Sequence, residues 1–200
     1  MSGADLLMER RRMTLPLSRS DVASLRAGDL LLLSGPLYTA RDAAHARLIS
    51  LDQQGQPLPV DLAGETIYYV GPCPAQPGQV IGSAGPTTSG RMDRYTPRLI
   101  ELGLRTMIGK GLRSTAVVEA MVKHGAVYLG ATGGAGALIA GCITESEMIA
   151  FPELGAEAIR RLIVSDLPVV VLIDTQGNDW YKEGRARYQN VSAEANEAKE

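Results

Sequence analysis

The stretch Gly85-Pro86-Thr87-Thr88-Ser89-Gly90-Arg91-Met92-Asp93 carries the densest chemistry in the chain. Thr87, Thr88 and Ser89 place consecutive hydroxyls between glycines, just before an expected helix. Hydroxyls beside free backbone N–H groups make an anion nest. With a helical first turn from Thr87, Arg91 falls on the same face. The plain alternative is a helix cap with spare hydroxyls and a solvated arginine.

A second candidate is Thr39-Ala40-Arg41-Asp42-Ala43-Ala44-His45, at a helix start after a strand. A guanidinium there can fork onto a carboxylate, and the helix N-terminus favours an anion. The alternative makes Arg41 a surface residue and Asp42 only a cap. A third is Gly109-Lys110-Gly111-Leu112-Arg113-Ser114. It approximates a phosphate loop, but Gly111 stands where Ser or Thr should bind magnesium, so a Walker motif is rejected. Lys110 between glycines at a strand end reads as a ligand-facing cation, or as part of an ordinary βα turn. Gly133-Gly134-Ala135-Gly136-Ala137-Leu138 lacks the third glycine of a dinucleotide fingerprint and reads as close packing of a helix against the sheet. His45 reads as a helix residue near a site, and His124 as a helix C-terminal residue. Cys73 and Cys142 read as small apolar fillers. Glu153 reads as a loop acid, with a carboxylate-partner role as the alternative.

Arg41, the Thr87–Arg91 segment and Lys110 all fall at strand-to-helix transitions, where α/β sheets gather ligands. Three cations with hydroxyls suit a small dicarboxylate. Residue chemistry alone stops at binding a di-anion.

The elements that must position them follow from periodicity. Strands are expected at 30–33, ended by Ser34-Gly35-Pro36, and at 67–70, 80–81, 106–108 and 126–129. Two more, at 161–164 and 169–173, flank a turn at Ser165-Asp166. Asp42 is expected to cap a helix to about Gln54. A helix around 92–101 holds Pro97 in its first turn, and Ser114 or Thr115 caps another that Gly125 closes. Strands alternating with helices argue for α/β, and the late consecutive strands for a mixed sheet.

The chain has 200 residues, is 45% hydrophobic and has a net charge of −2, which suits one domain with a sizeable core. That charge gives no field for nucleic acid or an anionic membrane. The division expected is an arm at 1–18, a domain at 19–185 and a polar tail at 186–200. Met13 is an alternative start that makes residues 1–12 a dispensable arm. No signal peptide is read after Arg10-Arg11-Arg12, and the apolar run 167–173 is too short to span a bilayer, so the cytoplasm is expected. Two separated cysteines suit neither a disulfide framework nor the thiolate set of an iron–sulfur cluster.

The stretches SGPLYTARDAAHARL (34–48), YYVGPCPAQPGQVIGSAGPTTSGRMD (68–93), GKGLRS (109–114), YLGATGGAGALIA (128–140), FPELGAEAI (151–159) and IDTQGND (173–179) together resemble the β-type region of class I iron–sulfur fumarases and L-tartrate dehydratases. The resemblance implies a swivelling β/β/α three-layer domain with a mixed sheet. It implies reversible hydration of a dicarboxylate, with a [4Fe–4S] cluster whose cysteines belong to an α-type subunit or N-terminal domain. It matches Arg41, Arg91 and Lys110 to carboxylate-binding cations and Thr87 to the proposed base, with Thr88 and Ser89 assisting. The expectation is a β subunit hydrating fumarate to malate, inactive without its α-type partner, in a hetero-oligomer with a β–β dimer as a further arrangement. Tartrate dehydration and a non-catalytic anion-binding module are the alternatives. Leu112, where many fumarases carry Asn, leaves the substrate open, while Arg113-Ser114 and PELGAEAI lean toward fumarase.

Overall fold

The computed structural model describes residues 10–185. The chain runs β1 (Arg11–Thr14), α1 (Arg19–Ser24), β2 (Leu30–Thr39), α2 (Asp42–Gln53), β3 (Thr66–Tyr68), α3 (Thr96–Glu101), β4 (Thr106–Gly109), α4 (Thr115–His124), β5 (Val127–Gly130), α5 (Gly136–Ala140), β6 (Ile143–Ala150) and β7 (Ile159–Ile173). Two 3₁₀ segments, Ser89–Met92 and Pro152–Glu157, precede α3 and β7.

These strands form one seven-stranded mixed sheet in the order β1-β2-β3-β4-β5-β7-β6. β1 through β5 run parallel, and β7 is antiparallel to β2, β5 and β6. Because β7 bonds to both β2 and β5, the sheet closes on itself through β2-β3-β4-β5-β7. The fold is therefore α/β with a mixed sheet.

Successive strand residues point to opposite faces, and in β3, β4 and β5 both faces are buried. Tyr68, Ile108, Val127, Leu129 and Val171 share one core with Leu31 and Leu33, covered by Val22 of α1 and Ile139 of α5. Ile67, Met107, Tyr128 and Leu172 share a second with Leu48 of α2, Leu99 of α3 and Met121 of α4. Burial on both faces is why the central parallel strands β3 to β5 read as largely apolar runs.

Several expectations are corrected. Ser34-Gly35-Pro36 does not end a strand: β2 continues to Thr39, and its pairing with β7 slips between Leu33 and Gly35. Pro36, which has no N–H to give the ladder, lies just past the slip, opposite Ile163. Gly35 is required there, since its φ is 122° and a Cβ would lie 2.7 Å from the Leu15 carbonyl oxygen. The expected hairpin at Ser165-Asp166 is one continuous 15-residue strand. Asp166, at φ 50°, lies in a bulge of β7, where Ser165 and Asp166 stand against the single Ser34 of β2. Residues 80–81 are loop rather than strand, and the expected helix at 92–101 divides into the Ser89–Met92 turn and α3. Pro97 does sit in the first turn of α3. β6 was not anticipated.

β1 pairs with β2, and Leu15 and Leu17 are buried, so residues 11–18 of the expected arm are built into this unit. Residues 1–9 and the expected tail at 186–200 lie outside the described residues. Among those described, no helix is long and apolar enough to cross a membrane.

Candidate active site

Four parallel strands, β2 to β5, end on one edge, and each candidate residue is delivered there. From β2 the chain passes Thr39 and Ala40, whose N–H bonds to the Tyr68 carbonyl at 3.2 Å, to Arg41, the residue that precedes α2. Asp42 is not the cap: Arg41 occupies that position and makes no side-chain capping bond. The Ala43 N–H in the first turn instead donates to Glu157 Oε2 at 2.8 Å. Arg41 Nη2 lies 3.2 Å from Glu157 Oε1 and 3.8 Å from Asp42 Oδ2, while Arg91 Nε donates to Asp42 Oδ1 at 2.9 Å. The result is an alternating row, Glu157–Arg41–Asp42–Arg91. Arg41 is largely buried and Arg91 about half exposed.

The hydroxyl segment continues the sheet beyond the named strands. Pro86 bridges Val70 after β3, and Thr88 bridges Lys110 after β4. The Thr87 N–H donates to the Tyr69 carbonyl at 2.7 Å, and the Ser89 N–H to the Lys110 carbonyl at 2.9 Å. Residues 86–89 are thus wedged between the ends of β3 and β4. The wedge fits because β4 ends on glycine: a Cβ on Gly109 would stand 2.0 Å from Ser89 Oγ.

The consecutive hydroxyls have different fates. Ser89 is buried, and its Oγ accepts from the Lys110 N–H at 3.1 Å and the Tyr128 hydroxyl at 2.8 Å. Burial pushes the Tyr128 hydroxyl well above its ordinary range, so it remains a donor. Among the described residues, the side chains of Thr87 and Thr88 make no hydrogen bond and Lys110 makes no ion pair. Thr88 and Lys110 line a cavity of about 480 Å³ with Gly111, Thr132, Gly133 and Trp180. Lys110 lies along Gly133: a Cβ there would be 3.7 Å from Nζ.

Arg113 holds the two site loops together. Its side chain is fully buried, with Nε donating to Asp93 Oδ1 at 2.7 Å and Nη2 to Thr96 Oγ1 at 2.9 Å. The guanidinium lies over the rings of Tyr69 and Tyr128, at 5.3 and 4.9 Å. Asp93 also accepts from the Ser114 N–H. One carboxylate therefore ties the end of the hydroxyl segment to the start of α4.

His45 is fully buried in α2, with Nδ1 2.8 Å from the Arg41 carbonyl oxygen. Burial pulls its pKa down to about 4, and Arg113 acts in the same direction, so the ring is neutral at pH 7 and Nδ1–H is the donor. His124 ends α4, and Gly125 closes it at φ 71°. Cys73 is exposed and Cys142 half-buried, both free. Glu153 pairs with Arg47 at the surface, at 3.3 Å. Gly136 gives close packing, but against the 83–85 loop rather than the sheet: a Cβ would lie 2.4 Å from Ser83 Oγ and 2.9 Å from the Gly85 nitrogen.

Sequence reasoning missed Glu157. Glu153 and Glu157 flank Leu154-Gly155-Ala156, and nothing in their spacing tells which turns inward. The kink at Gly155, with φ 59° and ψ −115°, accompanies the turn that sends Glu157 to α2.

A mixed sheet with cations, free hydroxyls and a cavity at the ends of its parallel strands defines a class of small-anion sites. The family described as "Fumarase C-terminus" matches residues 4–184, and the chain belongs to it, as the β-type, C-terminal region of class I fumarate hydratases and tartrate dehydratases. It is 43% identical to "Fumarate hydratase class I, aerobic" of Escherichia coli (strain K12) over 155 residues, 76% of this chain and 28% of that protein. It is 40% identical to "Fumarate hydratase 2" of Leishmania major over 82% of this chain and 29% of that protein. It is 36% identical to "Putative L(+)-tartrate dehydratase subunit beta" of Methanocaldococcus jannaschii over 84% of this chain and 89% of that protein. The chain thus spans about 28% of the length of the first curated relatives it matches.

Proposed function

We propose that this chain is the β-type part of a hydro-lyase that adds water reversibly across the C=C bond of a dicarboxylate, hydrating fumarate to malate. The observation that carries the reading is the set of groups left without internal partners. Among the described residues, Thr87, Thr88 and Lys110 present side chains without hydrogen-bond or ion-pair partners on the edge where Arg41 and Arg91 also lie. Arg41, Arg91 and Lys110 would hold the substrate carboxylates, and Thr87 Oγ would stand at the carbon-bound proton. Negative charge that develops on proton removal spreads into a carboxylate. Cations fixed there stabilise the transition state more than the ground state.

A neutral threonine is a poor base. The carboxylates of the row, Asp42 and Glu157, are committed to Arg91 and Arg41. The group that accepts the proton behind Thr87 is therefore assigned to an α-type partner. The same holds for the cluster. The chain has two cysteines, fewer than the thiolate set of a [4Fe–4S] centre, so the cluster implied by the resemblance does not fit the residues present. In this reading the domain is a swivelling β/β/α three-layer unit, and the two cores on opposite faces of the sheet support it. It works in the cytoplasm within a hetero-oligomer.

The test is co-expression with an α-type partner, followed by anaerobic assays of fumarate, tartrate and mesaconate. Fumarate turnover supports the reading, and turnover of tartrate without fumarate sinks the substrate assignment. Tartrate is the second reading because the tartrate dehydratase relative is itself a β subunit matched over 89% of its length.

A further inference from the structure

We infer that Glu157 is a positioning residue of this site: its carboxylate aims the Arg41 guanidinium by fixing it to the first turn of α2. The inference rests on the reading above, in which Arg41 holds a substrate carboxylate.

One carboxylate makes both contacts. Oε2 accepts from the Ala43 N–H at 2.8 Å, and Oε1 lies 3.2 Å from Arg41 Nη2. The backbone that delivers it is pinned beside the same arginine. Thr39 Oγ1 donates to the Ala158 carbonyl at 3.2 Å and accepts from the Arg160 N–H at 3.0 Å. Thr39 is only two positions before Arg41, so the 157–160 segment and the Arg41 backbone share one anchor.

On its other side Arg41 runs along Gly71. A Cβ on Gly71 would stand 2.6 Å from Arg41 Nη1 and 2.9 Å from its Cδ, and 3.1 Å from the Ala156 carbonyl oxygen. The guanidinium therefore occupies a slot between Gly71 and the 156–157 backbone. Arg41 Nε is buried and has no partner among the described residues, so nothing along the stem sets the rotation of the head group. Asp42 does not supply that control: its Oδ1 is taken by Arg91 and its Oδ2 is 3.8 Å from Arg41. Among the described residues, Glu157 makes the one charge contact with Arg41 shorter than 3.8 Å. An arginine held this way loses little further freedom when a carboxylate arrives, which is what preorganisation means for binding.

The experiment uses the active complex of this chain with its α-type partner. Glu157→Gln keeps an oxygen for the Ala43 N–H and removes the charge that aims Arg41. Its KM for the dicarboxylate is expected to rise about tenfold with kcat within about twofold. Glu157→Asp, which keeps the charge on a shorter arm, should recover part of that loss. In an Arg41→Ala background, Glu157→Gln should change KM no further, because the two residues act as one unit. A purely structural Glu157 would lower the melting temperature and leave KM unchanged. That result overturns the inference, as does a KM that falls, or an effect that adds fully to that of Arg41→Ala. An Arg41→Ala complex with unchanged KM overturns the site reading itself, and this inference with it.

Discussion

The adjacent hydroxyls of Thr87, Thr88 and Ser89 separate into two jobs. Ser89 serves Lys110 and Tyr128 internally, so its loss should act on stability. Ser89→Ala leaves a buried donor without its acceptor and should cost roughly 1–3 kcal/mol, read from urea denaturation of the isolated chain. Lys110→Ala removes a cation that has no internal partner among the described residues. It should instead lower kcat/KM of the assembled enzyme at least about 100-fold, with little change in the denaturation midpoint. His45 sets a pH dependence. Its folded pKa of about 4 lies below the ordinary 6.5, so the unfolded chain takes up the proton first. Stability should be highest above pH 6.5 and decline as the pH falls toward about 4, by about 3 kcal/mol in total. Denaturation at pH 7 and pH 4.5 checks the sign; a His45→Gln variant that keeps the wild-type slope would show that another group is responsible.

At the scale of elements, the site depends on a wedge and a clamp. The wedge is the 86–89 segment between β3 and β4, and the clamp is the Asp93–Arg113 pair. Asp93→Asn leaves a fully buried guanidinium without its counter-charge and should destabilise the chain by roughly 3 kcal/mol. A variant as stable as the parent in guanidinium chloride would refute the clamp. The same elements show what a sequence reveals. β3, β4 and β5 are legible because both their faces are buried and their residues are mostly apolar. β6 is not, since Thr144-Glu145-Ser146-Glu147 lies at the sheet edge with little apolar pattern. Ser165-Asp166 has turn composition, yet lies within a strand because it forms a bulge of β7, two residues set against the single Ser34 of β2. For the site, residue types mark Arg41, Arg91, Lys110 and the threonines. The single-residue bridges that bring them to one edge leave no periodicity to read. Glu157 stays hidden for a related reason: its partner is 116 positions earlier, at Arg41, and only the folded sheet joins them.

The whole molecule matches only part of the curated fumarases, and the proposed chemistry needs groups that its described residues do not supply. The isolated chain should therefore show no fumarate turnover, and activity should appear on mixing with a separately purified α-type partner. Turnover by the chain alone would contradict that division of labour.

The closure of the sheet by β7 bears on how the protein is made. Leu30 of β2 pairs with Val170, so its partner leaves the ribosome 140 residues later. Until then the edges of β2 and β5 that β7 will cover have no such partner. Unpaired strand edges invite intermolecular pairing, and distant contacts form slowly. Nascent chains stopped before residue 159 should thus be the species that most needs a chaperone, and the arrival of β7 should be the step that ends that need.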